Sequence, residues 1–204
     1  MRIRYYALWM CLICIIVFIL QITIESFSEL FVLNKNAIFE VWRFMTAIFL
    51  HGSLSHLIAN LFALALFGSI FEAFVGSRKF LFVFFASGIF ANIVSVNFYS
   101  SSLGASGAIY GILGALVVIS PMMMVWVSGI PMPMAIAGII WVAGGVFGLF
   151  YPNDVGHIAH LSGIAIGFIF GIFFRNWKKK EDIVKNVEMN EYFIRDWEDR
   201  NIRG

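Results

Sequence analysis

The sequence predicts an all-α, polytopic membrane protein: one bundle of six transmembrane helices with both termini in the cytoplasm. Three observations carry that expectation. Of the 204 residues, 61% are hydrophobic and only 13% charged, with a mean hydropathy of +0.89; a soluble domain carries about 25% charged and about 45–50% apolar residues. So apolar a chain has too little polar surface to face water, and lipid must be its solvent. Six apolar runs recur along it, each long enough to cross the roughly 30 Å hydrocarbon layer at about 1.5 Å per residue. Lysine and arginine also collect at alternate ends of these runs, as the positive-inside rule requires.

The first run is Ala7–Ile24, behind Arg2 and Arg4. It is longer than the usual apolar core of a secretory signal, about 7–15 residues, and is read as a retained span although Ser26 and Ser28 offer a small-x-small pattern. Its Cys11 and Cys14 have the C-x-x-C spacing of metal or redox sites, but no second pair exists and the setting is hydrocarbon, so they read as buried or lipid-facing thiols. Residues 25–55 mix Glu25, Glu29, Lys35, Glu40 and Arg43 with Phe31, Phe39, Trp42 and Phe44. Such a stretch is too polar to span and too apolar to leave the surface, and Trp42 suits headgroup depth.

The second run, about His56–Val75, is closed by Gly76-Ser77-Arg78-Lys79, and the third, Phe80–Phe98, by Ser100-Ser101-Ser102. The fourth is Ser106–Val127, closed by Gly129, Pro131 and Pro133; the fifth is Met134–Tyr151, closed by Pro152-Asn153-Asp154; the sixth is about His157–Phe174, closed by Arg175 and Lys178-Lys179-Lys180. Residues 1–177 are thus one membrane domain. Residues 178–204 alternate acid and base and read as a solvated cytoplasmic helix or a disordered tail. With the N-terminus inside, the inner ends hold Arg2, Arg4, Arg78, Lys79, Arg175, Lys178, Lys179 and Lys180, against Lys35 and Arg43 outside. The net charge of +2 gives no reason to expect nucleic acid as a partner.

In this topology the second, fourth and sixth spans start at the outer face. His56 and Asn60, Ser106, and His157 and His160 then fall at one depth on three helices. Polar groups inside a membrane are costly and default to a functional reading. Ser106 sits in Gly104-Ala105-Ser106-Gly107 at a helix start, where backbone N–H groups are unpaired and the dipole is positive. That suits a nucleophile beside an oxyanion site, although taken alone the pattern fits a plain N-cap better. His160 precedes Gly163, Gly167 and Gly171, while Gly107, Gly111 and Gly114 follow Ser106. These spacings suit ordinary close helix packing, and close backbones would also bring the Ser106 hydroxyl to a base, which it needs to become nucleophilic. His56 and Asn60, four apart, share a helix face and can both donate to an oxyanion. His51 reads equally as a site residue and as an interfacial packing group.

Taken together, Trp42-Arg43, His51-Gly52-Ser53-Leu54-Ser55-His56 with Asn60, Gly104-Ala105-Ser106-Gly107 with Tyr110, and His160-Leu161-Ser162-Gly163 with Gly167 resemble the rhomboid family of intramembrane serine proteases. The likeness runs from about Trp42 to Phe174, in order and in spacing. It implies a six-helix core and a Ser–His dyad without an acidic third member. It also implies cleavage of other proteins' transmembrane segments near the outer face. Carried over, Ser106 is the nucleophile and His160 the base. His56, Asn60 and the Ser106 N–H form the oxyanion hole, and Tyr110 packs against the catalytic histidine. Trp42, Arg43 and Glu72 take structural roles. His157 stands one turn from His160, but only His160 is followed by x-x-Gly-x-x-x-Gly.

The implied partners are single-pass membrane proteins and the lipid bilayer, with no cofactor and no metal. A zinc protease is disfavoured because no H-E-x-x-H is present. A client-binding relative without activity would usually lack the serine or the histidine. A transporter could use the four histidines as a proton relay, and a haem protein would need facing histidines on opposed helices, whereas these crowd at one level.

Overall fold

The computed structural model describes residues 4–127, 129–151 and 155–175, together with Glu191, Tyr192 and Arg195. The chain is mostly helical. Its apolar helices among the described residues are, in chain order, α1 (Tyr6–Thr23), α2 (Leu54–Val75), α3 (Ser77–Ser95), α4 (Ser106–Ile119), α5 (Met134–Gly148) and α6 (His157–Arg175). Four of them, α1, α2, α3 and α6, are long and apolar enough to cross a membrane, while α4 and α5 are shorter. The 178–204 tail lies outside the described residues except for three, of which Arg195 pairs with Glu191 at the surface.

The fourth apolar run departs most from expectation. It was expected to be helical through Val127, yet α4 stops at Ile119 and Ser120 leaves the helical region at φ −139°, ψ 63°. Pro121 is the cause, because the proline ring disfavours helical backbone in the residue before it. Met124–Val127 (β3) instead pairs antiparallel with Ile130–Pro133 (β4), the turn carrying Gly129 at φ +83°. A short apolar run does not by itself distinguish strand from helix. The third helix begins and ends three residues earlier than the apolar run, and α5 ends at Gly148 rather than Tyr151.

The first turn of α1 is capped from another helix. The Glu72 carboxylate of α2 is buried and accepts from the backbone N–H groups of Tyr6 (3.1 Å) and Ala7 (3.0 Å) and from the Ser77 hydroxyl. Ser77 in turn accepts from Arg4 N at 2.9 Å. A carboxylate at a helix N-terminus satisfies orphan donors and meets the positive end of the dipole. Midway along α2, Leu64–Gly68 forms a π-helical segment. It packs Gly68 against Ala7 of α1 and turns Phe67 edge-on to Trp141 of α5, centroids 5.9 Å apart.

Residues 25–53 fold around one buried cation. They include the short helices Phe27–Phe31 and Arg43–Thr46, and a strand, β1 (Leu33–Asn34), paired with β2 (Ser101–Ser102). Arg43 donates to the carbonyls of Glu29 (2.7 Å) and Val32 (2.9 Å) and pairs with Glu40. A buried guanidinium is tolerable only when its donors find such acceptors. The half-exposed Trp42 donates to Leu30 O at 3.5 Å. The segment's far end is fastened to α1 by Gln21, which accepts from His51 N (2.9 Å) and donates to His51 O (3.2 Å).

The core is a continuous apolar cluster in which Phe71, Phe80, Phe84, Ile112 and Leu116 are fully buried. All six helices contribute to it, α4 most of all, and α4 packs tightly on α3, where Ala91 and Ser87 lie against Gly107 and Gly111. On its other side α4 meets α6 in parallel, backbone to backbone. A methyl group at Gly163 would overlap Gly107 O, one at Gly167 would overlap Gly111 O, and one at Gly171 would meet Ala115 O at 2.9 Å. This seam of small residues is the close approach that membrane helices use in place of a hydrophobic driving force.

Candidate active site

The loop before α4 brings the first residues together. Gly104 lies at φ +118°, a conformation that side chains rarely adopt, and its N–H donates to Ala47 O at 2.8 Å. The Cε1–Nε2 edge of the His56 ring lies against it: a Cβ on Gly104 would sit 2.8 Å from His56 Cε1 and 2.9 Å from Nε2. Ser106 follows as the first residue of α4, half-buried, with Ala105 before it supplying no side-chain cap. The first-turn amides of α4 therefore have no serine or aspartate competing for them from the cap position.

His56 is set by the start of α2. Ser53 caps that helix, its hydroxyl accepting from His56 N at 3.1 Å. One turn on, the buried Asn60 donates through Nδ2 to His56 O at 3.0 Å. His51 stands behind His56, the two rings 5.1 Å apart and edge-on. It is almost fully buried, with Nδ1 3.1 Å from Phe49 O, so Nδ1 carries the proton. Its Nε2 has no hydrogen-bond partner. Burial first, and the neighbouring His56 second, push the His51 imidazole down to about 4, against partial support from the Phe49 carbonyl. His51 is therefore neutral in the folded protein near pH 7.

The two histidines of α6 part company. His160 stacks on Tyr110, ring centroids 4.1 Å apart and planes within 10°. Tyr110 lies one turn beyond Ser106, so His160 is held against α4 at the serine's level. His157 turns toward α5 instead: a side chain at Gly148 would collide with its ring. It meets His160 edge-on at 6.2 Å. The structure thus gathers Ser106, His160, Tyr110, His56, Asn60 and Gly104 at one end of α2, α4 and α6, with Gly107 and Gly163 at the seam. His51 and His157 flank the group. Trp42, Arg43 and Glu72 lie outside it.

Two contributors were not legible in the sequence. Tyr99 accepts from Ile158 N through its hydroxyl at 3.1 Å and so caps the start of α6. Gln21 clamps the backbone of His51. Both are long-range pairings, separated by 59 and 30 residues, with no local signal beyond a polar atom at the end of an apolar run. Among the described residues no group of three or more His, Cys, Asp or Glu is placed to hold a metal ion.

The Rhomboid domain model matches residues 39–177, a stretch that includes Ser106, Tyr110 and His160. The chain belongs to the rhomboid family. Rhomboid proteins are, in general, intramembrane serine proteases. Rhomboid protease GluP of Bacillus subtilis is 44% identical over 82 residues, covering 40% of this chain and 16% of GluP. RHOMBOID-like protein 7 of Arabidopsis thaliana is 31% identical over 134 residues, 65% of this chain and 42% of that protein. RHOMBOID-like protein 1 of the same plant is 30% identical over 159 residues, 76% and 40% respectively. This rhomboid chain therefore spans about two fifths of the length of these two plant relatives.

Proposed function

We propose that this chain is an intramembrane serine endopeptidase that cuts transmembrane segments of other membrane proteins close to the outer face, using a Ser106–His160 dyad. The observation that carries this reading is the Tyr110–His160 stack one turn beyond Ser106. An imidazole stacked on an aromatic face at that level could serve a hydroxyl at the helix N-terminus as base without an aspartate to orient it.

In this reading all six apolar helices form the bundle and both termini are cytoplasmic, by the charge asymmetry of 8 against 2. The 14 residues of α4 cover only about 21 Å of the roughly 30 Å layer, which suits a serine held below the outer surface. A substrate helix would enter between α2 and α5, which meet through Phe67 and Trp141. It must unwind locally, because a helical peptide bond keeps its carbonyl hydrogen-bonded. The 152–156 loop is a candidate lid; its Pro152, Asn153 and Asp154 lie outside the described residues.

His160 takes the Ser106 proton as Oγ attacks the scissile carbonyl carbon, forming a tetrahedral oxyanion. The Ser106 N–H, His56 and the second amide proton of Asn60 donate to that oxygen. When the C–N bond breaks, His160 returns the proton to the leaving amine. Water then attacks the acyl ester while His160 accepts its proton, and Ser106 leaves with that proton. No cofactor enters this scheme.

The deciding experiment is cleavage of a generic transmembrane reporter by wild type and by Ser106→Ala in proteoliposomes. Cleavage by the first alone is expected. Equal cutting by both would end the proposal, as would failure of a fluorophosphonate probe to label Ser106 in a buffer where wild type is active.

A further inference from the structure

The β3–β4 hairpin is an apolar feature that the proposed reaction does not use. From Ser120 to Pro133 the chain carries no charged residue. One face of the hairpin packs inward through Val125, which is buried in the core cluster, and Met132. The other face carries Met124 and Trp126, opposite Pro133 and Pro131, with Met122 beside them, and at the tip Ile130, opposite Val127 on the inward face, overhangs the core; all four apolar side chains are exposed, Trp126 72% and Met122 75%. An antiparallel pair with one wet face alternates apolar inside and polar outside, and this one is apolar on both. A bare apolar face of this kind marks an interaction site.

The hairpin's edges suit an interface rather than bulk water or hydrocarbon. Met134 N donates to Met123 O at 2.8 Å, so by strand alternation the backbone nitrogens of Pro133 and Pro131 face the open edge. Proline has no N–H there to leave unpaired. The remaining edge carbonyls still need water, which rules out the middle of the bilayer. The helices that carry the hairpin set its depth. With 14 and 15 residues, α4 and α5 cover about 21–23 Å each, short of the roughly 30 Å layer. Two helices this short hold the hairpin at their shared end close against the bilayer, next to the lipid-facing sides of both.

We infer that the 122–133 hairpin is a lipid-binding element seated in the interfacial zone of the membrane leaflet on the Arg78–Lys79 side, with Met122, Met124, Trp126 and Ile130 among the acyl chains just below the headgroups. This rests on the six-span reading above. An aromatic side chain in an uncharged strand is suited to that depth, and the cations of Arg78, Lys79 and Arg175 at the same end suit anionic headgroups.

The test uses single-cysteine variants of the full chain in a Cys11→Ala/Cys14→Ala background, spin-labelled and reconstituted in phosphatidylcholine–phosphatidylglycerol vesicles. Trp126→Cys, Met122→Cys and Ile130→Cys are compared with Arg78→Cys. The expected result is several-fold lower collision with a water-soluble nickel chelate and higher collision with oxygen at the three hairpin positions than at Arg78. Chelate access equal to that at Arg78 would overturn the inference. So would protection from both quenchers that fades on dilution with lipid, which would mark a second copy of the chain as the occupant. If one variant fails to fold, the other two positions carry the measurement. Membrane-impermeant maleimide on Lys35→Cys and Arg78→Cys, run in parallel, reports the topology separately. A reversed orientation would be seen there without altering the measured depth.

Discussion

His160 and His157 are three residues apart on one helix, yet they have different neighbours. His160 lies on Tyr110 and His157 lies at Gly148. His160→Ala is expected to abolish reporter cleavage, a loss of several orders of magnitude, whereas His157→Ala should leave most of it; steady-state cleavage rates check both, and the reverse pattern would reassign the base. His51 lends itself to a pH measurement. Its folded pKa of about 4 lies below the ordinary 6.5, so between those values the unfolded chain binds a proton that the folded chain refuses. Folding stability should therefore fall as pH drops from 6.5 to 4, by about 3 kcal/mol in total. His51→Gln should flatten that part of a melting-temperature profile, and an unchanged slope would show that another group carries it. The sequence left His51 open between a site residue and a packing residue, because its place against α1 depends on Gln21, 30 residues away.

At the scale of the element, the helix starts show where local sequence suffices and where it does not. Ser53 before α2 is an ordinary N-cap that accepts from His56 N, three residues on. By contrast, α1 begins without a side-chain cap of its own and takes one from Glu72, 65 residues away. Glu72→Gln keeps the shape but replaces one accepting oxygen with a donor that faces backbone N–H groups. A destabilisation of about 1–3 kcal/mol is expected, read as a lower melting temperature in detergent. The cleavage rate well below that temperature should be nearly unchanged, since the residue lies far from Ser106. The fourth apolar run shows the opposite case. Its periodicity and hydrophobicity fit a helix to Val127, but Pro121 ends the helix and cross-strand pairing takes over. The proline was present to be read; the hairpin partner Ile130–Pro133 was not, because Pro131 and Pro133 look like mere terminators until β3 stands beside them.

For the whole molecule, orientation is decided by charge and by nothing in the packing. Lys35→Cys should react with a membrane-impermeant maleimide added to intact cells, and Arg78→Cys only after the membrane is opened; the opposite pattern would invert the topology. Hydrophobic composition, the apolar runs and the rhomboid motifs were all present in the sequence, because apolar length and residue spacing along a helix are local quantities. That is why the family and the membrane character followed from residues alone. What only the tertiary structure decided is which residues meet. The pairing of Gly107 with Gly163 and Gly111 with Gly167, the stacking of His160 on Tyr110, the His56 ring against Gly104 and the burial of Arg43 among loop carbonyls all join distant parts of the chain. Each depends on the distance and register between separate segments, and backbones can come that close only where the packing of the whole bundle permits it.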